Sequence, residues 1–274
     1  MKIYDCFPFF NENLMLELRL NTLDKFVDYF VIVECGQTYQ GTFKGKQIDH
    51  SILDKFKDKI RYIYLEDFND IDVTKFNEYL HAWKREEYQR DQLAKGLYDA
   101  KPDDIIIVSD LDEISDLSKI NFKDIKEDVW ALEMNSCYYK FNLKYTGNWL
   151  GAKLCRYKNF KGAQWLRNLK VHKRYPWWRL DKFFAKNYVH SFKIVKNGWH
   201  FSYLMDTKKI IKKLESFSHT EFNNEHYKNP EYIESCISNG IDLFDPQNRL
   251  EKVEESLLPQ FIIENREKFA EFIV

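Results

Sequence analysis

Two aspartates that follow a short apolar run are the residues of this chain best suited to chemistry. The run is Ile105–Val108, and after Ser109 come Asp110, Leu111 and Asp112. A short β-branched run bounded by polar residues predicts a buried strand of a parallel sheet. Because side chains alternate along an extended chain, we expect Asp110 and Asp112 on one face and Leu111 in the core.

The position of these two carboxylates indicates a hard divalent cation. Open α/β sheets bind ligands outside the carboxyl ends of their strands. Mg²⁺ or Mn²⁺ at such an edge takes few protein oxygens and shares its other positions with substrate phosphates. We therefore predict that Asp110 and Asp112 hold Mn²⁺ or Mg²⁺, directly or through one water. The alternative is a solvated acidic turn, which is the usual meaning of an isolated Asp-X-Asp.

Other polar residues are expected at the same edge of the sheet. Glu34 ends a second apolar run, where its carboxylate could accept hydrogen bonds from a ribose or a base. Arg90 lies on the apolar stripe of a helix predicted over 77–98, where an unpaired charge is expensive. It either pairs with Glu86 or Glu87, or it points its guanidinium fork at a diphosphate.

Two histidines lie in polar-aromatic motifs further along the chain. His200 belongs to GWHFSY, where Gly198 would let the backbone approach closely, and His219 precedes Glu221 in SFSHTEFN. Imidazole is a ligand for Mn²⁺, and a glutamate can act as a general base. The alternative for each histidine is a structural role, and His219 and Glu221 could simply cap the C-terminal helices.

Composition narrows the class of protein. The chain has 274 residues, 44% hydrophobic and 31% charged, which is enough for one large domain. Its net charge of −1 provides no overall field for nucleic acid or an anionic membrane. Aromatic residues, at 17%, are expected mainly in the core, with sugar or base stacking as the second interpretation. The five cysteines are never spaced Cys-X-X-Cys, which argues against a zinc site and fits a reducing compartment.

The order of the segments predicts an α/β fold. Four strand-like runs alternate with helical stretches in the first part of the chain, at 3–7, 28–34, 60–65 and 104–109. This alternation predicts a mostly parallel, Rossmann-type central sheet flanked by helices. A small antiparallel element is expected at 129–141 and 150–157, and the chain turns helical past 206.

No targeting or membrane segment is recognisable in the sequence. No run approaches the roughly 18 apolar residues that span a bilayer, and residues 1–20 carry charges throughout. We therefore expect a cytoplasmic protein without a signal peptide or membrane span.

The residues also resemble a known family. FPFFNE at 7–12 and YFVIVE at 29–34 resemble the opening of a nucleotide-sugar-binding glycosyltransferase of the GT-A type, in which an Asp-X-Asp after a later strand is the metal motif. More specifically, the chain resembles glycosyltransferase family 17 over most of its length. The matching segments are 5–34, QRDQLAKGL at 89–97, IIIVSDLDEI at 105–114, GWHFSY at 198–203, SFSHTEFN at 216–223 and GIDLF at 240–244.

This resemblance implies an inverting, metal-dependent transfer of a sugar. The implied donor is a UDP-sugar, UDP-N-acetylglucosamine in particular, and the implied acceptor is a glycan. Nucleic acid is not an expected partner. The corresponding organisation is a GT-A-like catalytic domain over 1–215, with a helical C-terminal extension over 216–274 packed on the same unit.

The resemblance also suggests roles for individual residues. Seven are expected near the nucleotide, across the ends of the first two strands: Phe7, Pro8, Asn11, Glu34, Arg90, Asp91 and Asp110. Either His200 or His219 is expected to complete the metal–diphosphate site, with His200 preferred. Asp112 and Glu221 are the expected catalytic residues, Glu221 as the base. If Glu221 is not the base, three other carboxylates are the next candidates: Asp206, Glu133 and Asp181.

Two other functions stay open on sequence grounds. A strand followed by Asp-X-Asp also opens metal-dependent phosphohydrolases that use an aspartyl nucleophile. That motif usually lies near the N-terminus and is followed by Gly or Thr, whereas Glu113, Ile114 and Ser115 follow here at mid-chain. A non-catalytic sugar-binding relative with the same fold is the other alternative.

Overall fold

The computed structural model describes residues 1–147, 149–170 and 188–274. Its strands are β1 (Ile3–Phe9), β2 (Tyr29–Cys35), β3 (Ile60–Leu65), β4 (Ile105–Val108), β5 (Glu113–Ile114), β6 (Val129–Tyr138), β7 (Leu143–Lys144), β8 (Trp149–Arg156), β9 (Phe192–Ser202) and β10 (Glu251–Lys252). Its α-helices are α1 (Asn13–Leu23), α2 (His50–Asp54), α3 (His81–Asp91), α4 (Ala163–Asn168), α5 (Thr207–Ser216), α6 (Pro230–Asn239) and α7 (Gln260–Glu264). In the parts of the chain described, no helix combines the length and apolarity needed to cross a bilayer.

The strands form one curled, mixed sheet in the order β10-β7-β6-β8-β4-β1-β2-β3, with β9 beside β6 and β5 beside β9. The expectation of a mostly parallel sheet holds for the half made by β4, β1, β2 and β3, and outside that half for the pairing of β6 with β9. β8 pairs with β4 in the antiparallel sense, and β6, β7 and β10 continue that pattern. The sheet changes character because β6, β7 and β8 follow one another through short connections, which favour antiparallel pairing.

Both faces of β1, β2 and β4 are buried. Phe7, Phe30 and Ile107 pack on the side covered by α1. Val31 and Val108 pack on the other side, against α4 and the turn that follows α3. Strands covered on both faces read as continuous apolar runs, which is why the sequence revealed their positions to within two residues. A third apolar cluster lies around α5 and α6, and residues after 216 also supply β10 to the sheet.

The helix predicted over 77–98 is divided into three pieces. A 3₁₀ turn at Glu78–Leu80 precedes α3, and a second one follows at Gln92–Leu97. Ala94, which follows Arg90 by four residues, is exposed because a 3₁₀ turn has three residues per turn and shifts the helical phase. Gly96 allows this turn to lie directly on β2, since a Cβ there would be 2.4 Å from a methyl carbon of Val31.

A buried arginine holds the loop that follows β4. Arg19 of α1 is fully buried, and its Nε and Nη2 donate to the two carboxylate oxygens of Asp5 at 2.8 and 2.6 Å. Its Nη1 donates to the carbonyl oxygens of Asp110, Leu111 and Glu113 at 2.8, 3.1 and 2.8 Å. Leu111 is buried as predicted. One side chain therefore fixes the backbone of the whole acidic turn.

We predict that Arg19→Leu destabilises the fold severely. The substitution leaves Asp5 as a buried carboxylate without its cation and removes the donor from three carbonyl oxygens. The free energy of unfolding should fall by about 3–5 kcal/mol, measured by urea denaturation. Arg266→Leu is the control, because Arg266 pairs with Glu255 on the surface and its loss should leave the urea midpoint unchanged. Equal losses in the two variants would contradict the role given to Arg19.

Candidate active site

A cavity of about 360 Å³ opens at the carboxyl ends of β1 and β4. The turn after β1, the loop after β4, one face of α3, the end of β9 and the chain from α5 onward all contribute to its walls. Many of the lining side chains are aromatic, among them Phe9, Phe10, Tyr39, Trp83, Tyr138, Trp149, Tyr203, Phe217, Phe222 and Phe244. The charged ones are Glu12, Glu86, Arg90, Asp110, Asp112 and Lys213, with His200 and His219.

The structure brings six of the residues predicted from the sequence to this cavity: Pro8, Arg90, Asp110, Asp112, His200 and His219. The other five lie outside its walls: Phe7, Asn11, Glu34, Asp91 and Glu221. Asp91 accepts a hydrogen bond from the backbone N–H of Gln164 at 2.8 Å and so caps α4. The Phe7 ring lies under the Arg19 guanidinium at 4.3 Å, on the core side of the strand.

Glu34 is fully buried and is occupied by donors from the protein itself. Its Oε1 accepts from Lys44 Nζ at 3.1 Å and from the backbone N–H of Gln47 at 2.5 Å. Its Oε2 accepts from the Tyr62 hydroxyl at 2.7 Å. These contacts anchor the loop after β2. They leave the carboxylate outside the walls of the cavity, whereas the sequence predicted it close to a nucleotide at the ends of the first two strands.

Asp110 lies between two arginines. Arg90 Nη2 is 3.0 Å from its Oδ1, and Arg167 Nη2 is 2.6 Å from its Oδ2. Burial alone would raise the pKa of Asp110, but the two guanidinium groups hold that pKa well below its usual range. Arg90 also pairs with Glu86 at 2.5 Å, the structural alternative considered from the sequence. Its Nε is nevertheless buried without a hydrogen-bond partner among the described residues.

Arg167 and Glu113 are site residues that the sequence reasoning missed. Glu113 is fully buried and receives both Nη atoms of Arg167, at 2.8 and 2.7 Å, in a bidentate fork. It also accepts from Trp149 Nε1 at 2.9 Å and from the backbone N–H of Asp110 at 3.0 Å. The only signal in the sequence was an acidic residue directly after the Asp-X-Asp, without any indication of its distant partner.

β9 carries His200 to the acidic loop. Glu113 of β5 pairs with His200, and the backbone N–H of Phe201 donates to the carbonyl oxygen of Asp112 at 2.9 Å. The close approach depends on Gly198, which has φ +81° and on which a Cβ would lie 2.4 Å from the Ile114 carbonyl oxygen. The predicted reason for a glycine at this position is therefore confirmed.

Asp112 and His200 are the side chains best placed to hold a divalent cation. His200 Nε2 lies 3.9 Å from Asp112 Oδ2, too far for a hydrogen bond, while its Nδ1 is 2.8 Å from Ser136 Oγ. The ring stacks on Trp149 at 4.1 Å. Burial raises the pKa of Asp112 and lowers that of His200. A histidine oriented through its second nitrogen is typical of metal ligands.

A cation bound here would need ligands from its substrate as well. Among residues 1–147, 149–170 and 188–274, no three His, Cys, Asp or Glu side chains converge as a metal-binding group. Two protein ligands with phosphate oxygens and water in the other positions fit the preferences of Mg²⁺ and Mn²⁺. Asp110 has both oxygens bound by arginines, so the two aspartates have different surroundings.

Lys213 and Glu12 are two further cavity residues that the sequence reasoning did not single out. Lys213 Nζ is 3.0 Å from Glu12 Oε1 and 3.6 Å from Asp112 Oδ2. Burial opposes the charged ammonium, but Glu12 and Asp112 hold the pKa of Lys213 above its usual range. Glu12 belongs to the FPFFNE segment and Lys213 follows the apolar stripe of α5, which were the available signals.

His219 and Glu221 form a pair at the rim of the cavity. His219 Nδ1 is 2.8 Å from Glu221 Oε1, and the imidazole packs edge-on against Trp83 at 4.6 Å. The Glu221 side chain is 56% exposed. Of the other candidate bases, Asp206 caps α5 through the backbone N–H of Lys209, and Asp181 lies outside the described residues. Glu133 lies on β6 and does not line the cavity.

Lys153 of β8 anchors the segment that carries Arg167. Its Nζ donates to the carbonyl oxygens of Arg167 and Leu169. Burial, together with the nearby Arg167 guanidinium, lowers the pKa of Lys153 to about 8. A neutral amine still has two N–H groups for these two carbonyls, so the anchor survives loss of the proton.

Comparison with known proteins identifies the class. A profile of glycosyltransferase family 17 matches residues 1–273, so the chain belongs to glycosyltransferase family 17. The β-1,4-mannosyl-glycoprotein 4-β-N-acetylglucosaminyltransferase of Rattus norvegicus is 21% identical over 283 aligned positions, covering 93% of this chain and 51% of that protein. The chain thus spans about half the length of this relative. A crystal structure of HddC from Yersinia pseudotuberculosis is only weakly similar, with 12% identity and a TM-score of 0.33 over 74% of this chain and 91% of that one.

We predict that Lys153 makes stability depend on alkaline pH. An unfolded lysine has a pKa of about 10.4, so between about pH 8 and pH 10 the unfolded chain binds more protons and stability rises with pH. Relative to Lys153→Met, the wild type should gain about 2 kcal/mol over that window, measured by urea unfolding at each pH. Lys158→Met, at an exposed lysine, should show the wild-type pH dependence. If Lys153→Met does so as well, Lys153 does not titrate in this range.

Proposed function

We propose that this protein transfers N-acetylglucosamine from UDP-N-acetylglucosamine to a glycan acceptor, with inversion and with a divalent cation. Membership of glycosyltransferase family 17 supports glycosyl transfer, and the name of the rat relative supports N-acetylglucosamine as the transferred sugar. The observation that carries the proposal is the approach of Asp112 and His200 to 3.9 Å inside an aromatic-walled cavity.

The donor is proposed to lie across the carboxyl ends of β1 and β4, beside Pro8 and Phe10. Arg90 lines the cavity with 4% of its surface exposed, and its guanidinium is proposed to contact a diphosphate oxygen. Because Glu34 is occupied by Lys44, Gln47 and Tyr62, the nucleotide is proposed to lie on the cavity side of that loop.

Asp112 and His200 are proposed to hold Mn²⁺ or Mg²⁺. A divalent cation, when bound, neutralises charge on the departing UDP. Asp110 is proposed to contribute beside them, either by orienting Arg90 and Arg167 or by reaching the cation through a bound water. The same arrangement disfavours a phosphohydrolase, because an aspartyl nucleophile needs a free carboxylate oxygen and both oxygens of Asp110 are bound.

Inversion requires a carboxylate that removes the acceptor proton on the side of the sugar opposite the diphosphate. The Glu86 carboxylate is held by Arg90 and Ser218, and Asp110 by its arginines. Glu12 has Lys213 as its one side-chain partner among the described residues, through Oε1. We therefore propose Glu12 as the base ahead of Glu221, which lies outside the cavity walls.

We predict that Asp112→Ala abolishes metal-dependent binding of UDP-N-acetylglucosamine. The variant removes the carboxylate proposed as a direct ligand of the cation, while the Arg19 contacts to the loop backbone stay intact. Calorimetric titrations with and without Mn²⁺ measure the effect, and the melting temperature reports on folding. Asp103→Ala, at an exposed aspartate, is the control and should bind like the wild type. Wild-type Mn²⁺-dependent affinity in Asp112→Ala would exclude Asp112 as a ligand.

We predict that Glu12→Gln and Glu221→Gln differ sharply in turnover. UDP release from UDP-N-acetylglucosamine with Mn²⁺ and a series of glycan acceptors gives the rates. Glu12→Gln should lower kcat at least about 100-fold while leaving the KM for the donor near the wild-type value, because proton removal is lost while the amide oxygen can still accept a hydrogen bond from Lys213. Glu221→Gln should turn over like the wild type. The reverse pattern would assign the base to Glu221. If both variants turn over at the wild-type rate, Asp206 and Glu133 are the next candidates for the base.

A further inference from the structure

The ammonium of Lys213 lies where the proposed function puts a cation. Asp112 Oδ2 has Lys213 Nζ at 3.6 Å and His200 Nε2 at 3.9 Å. Neither contact is a hydrogen bond, so the Asp112 carboxylate lies near both groups and is bound to neither. The Asp112 side chain is 17% exposed, and Lys213 is the cation closest to it among the described residues.

Lys213 belongs to α5, whose backbone is fixed, but its long side chain lets the ammonium move. Asp206 caps the first turn of α5, and the buried Ile210 and Leu214 fix the helix on the core. Lys213 lies between these anchors with its Nζ over the Tyr203 ring at 5.4 Å. A lysine is a compact charge on four flexible carbons, so its ammonium can change partners while the helix stays in place.

Electrostatics prevents Asp112 from holding Lys213 and a divalent cation together. A cation between Asp112 and His200 would lie within a few ångströms of the ammonium, where like charges repel strongly at low effective dielectric constant. A nucleotide diphosphate adds negative charge at the same place. The lysine donors suit its oxygens, and Glu12 at 3.0 Å keeps the ammonium inside the cavity during the exchange.

We propose that Lys213 takes the place of the metal ion in the free protein and contacts the diphosphate of the donor once the ion occupies Asp112. The inference rests on the proposed function for the identity of the diphosphate. It makes the binding of the two ligands cooperative, because UDP draws the ammonium away from Asp112 and so favours the ion. By linkage, the ion favours UDP to the same extent.

Lys213→Met tests this exchange through two binding measurements of opposite sign. Mn²⁺ alone should bind the intact chain about tenfold more tightly, because its competitor is gone. UDP at saturating Mn²⁺ should bind about tenfold to hundredfold more weakly, because a charged hydrogen bond to the diphosphate is lost. Both affinities are measured by titration calorimetry. Lys208→Met, at an exposed lysine of the same helix, should change neither.

Each outcome decides a separate part of the inference. Unchanged or weaker Mn²⁺ binding in Lys213→Met would overturn the competition at Asp112, and unchanged UDP binding would overturn the diphosphate contact. A wild type that fails to bind UDP would contradict the proposed function, while the Mn²⁺ titration would still decide the competition. Lys213→Gln, which keeps a donor for Glu12, replaces the Met variant if the melting temperature of that variant falls.

Discussion

The ion pair between Arg19 and Asp5 is the interaction on which the rest of the site depends. A charge buried this completely is tolerated only when it is paired and hydrogen-bonded, and here the second half of the guanidinium is satisfied by backbone carbonyls of the acidic loop. The same contact therefore joins α1, β1 and the residues after β4. The carboxylates point into the cavity because their backbone is held from the core side.

The central strands of the parallel half, β1, β2 and β4, could be predicted because they are buried on both faces. The runs of β2 and β4 are almost continuously apolar, with no alternation of polar and apolar residues that could be misread. The predicted bounds of β3 agree with the observed ones. The antiparallel half was recognised only as an element, since its order in the sheet depends on long-range pairing of β8 with β4 and of β9 with β6. Short motifs do not specify such partners.

The site residues divide in the same way, into those indicated by neighbouring residues in the sequence and those defined by partners far along the chain. Asp112 and His200 carry their own signals, an Asp-X-Asp after an apolar run and a glycine that permits close approach. Glu34 illustrates the limit, because its position at a strand end was right and its partners could not be read from the sequence. Arg167 comes from α4, more than fifty residues after Asp110, and nothing near either residue in the sequence links the two.

The fork of Arg167 on Glu113 has a thermodynamic consequence for ligand capture. Glu113 also receives the Asp110 amide and the Trp149 indole, so the floor of the cavity is immobilised by the protein alone. The conformational entropy of these side chains is therefore lost when the protein folds and not when a ligand binds. A ligand entering the cavity meets charges already in position, and the intrinsic energy of its contacts is retained as affinity.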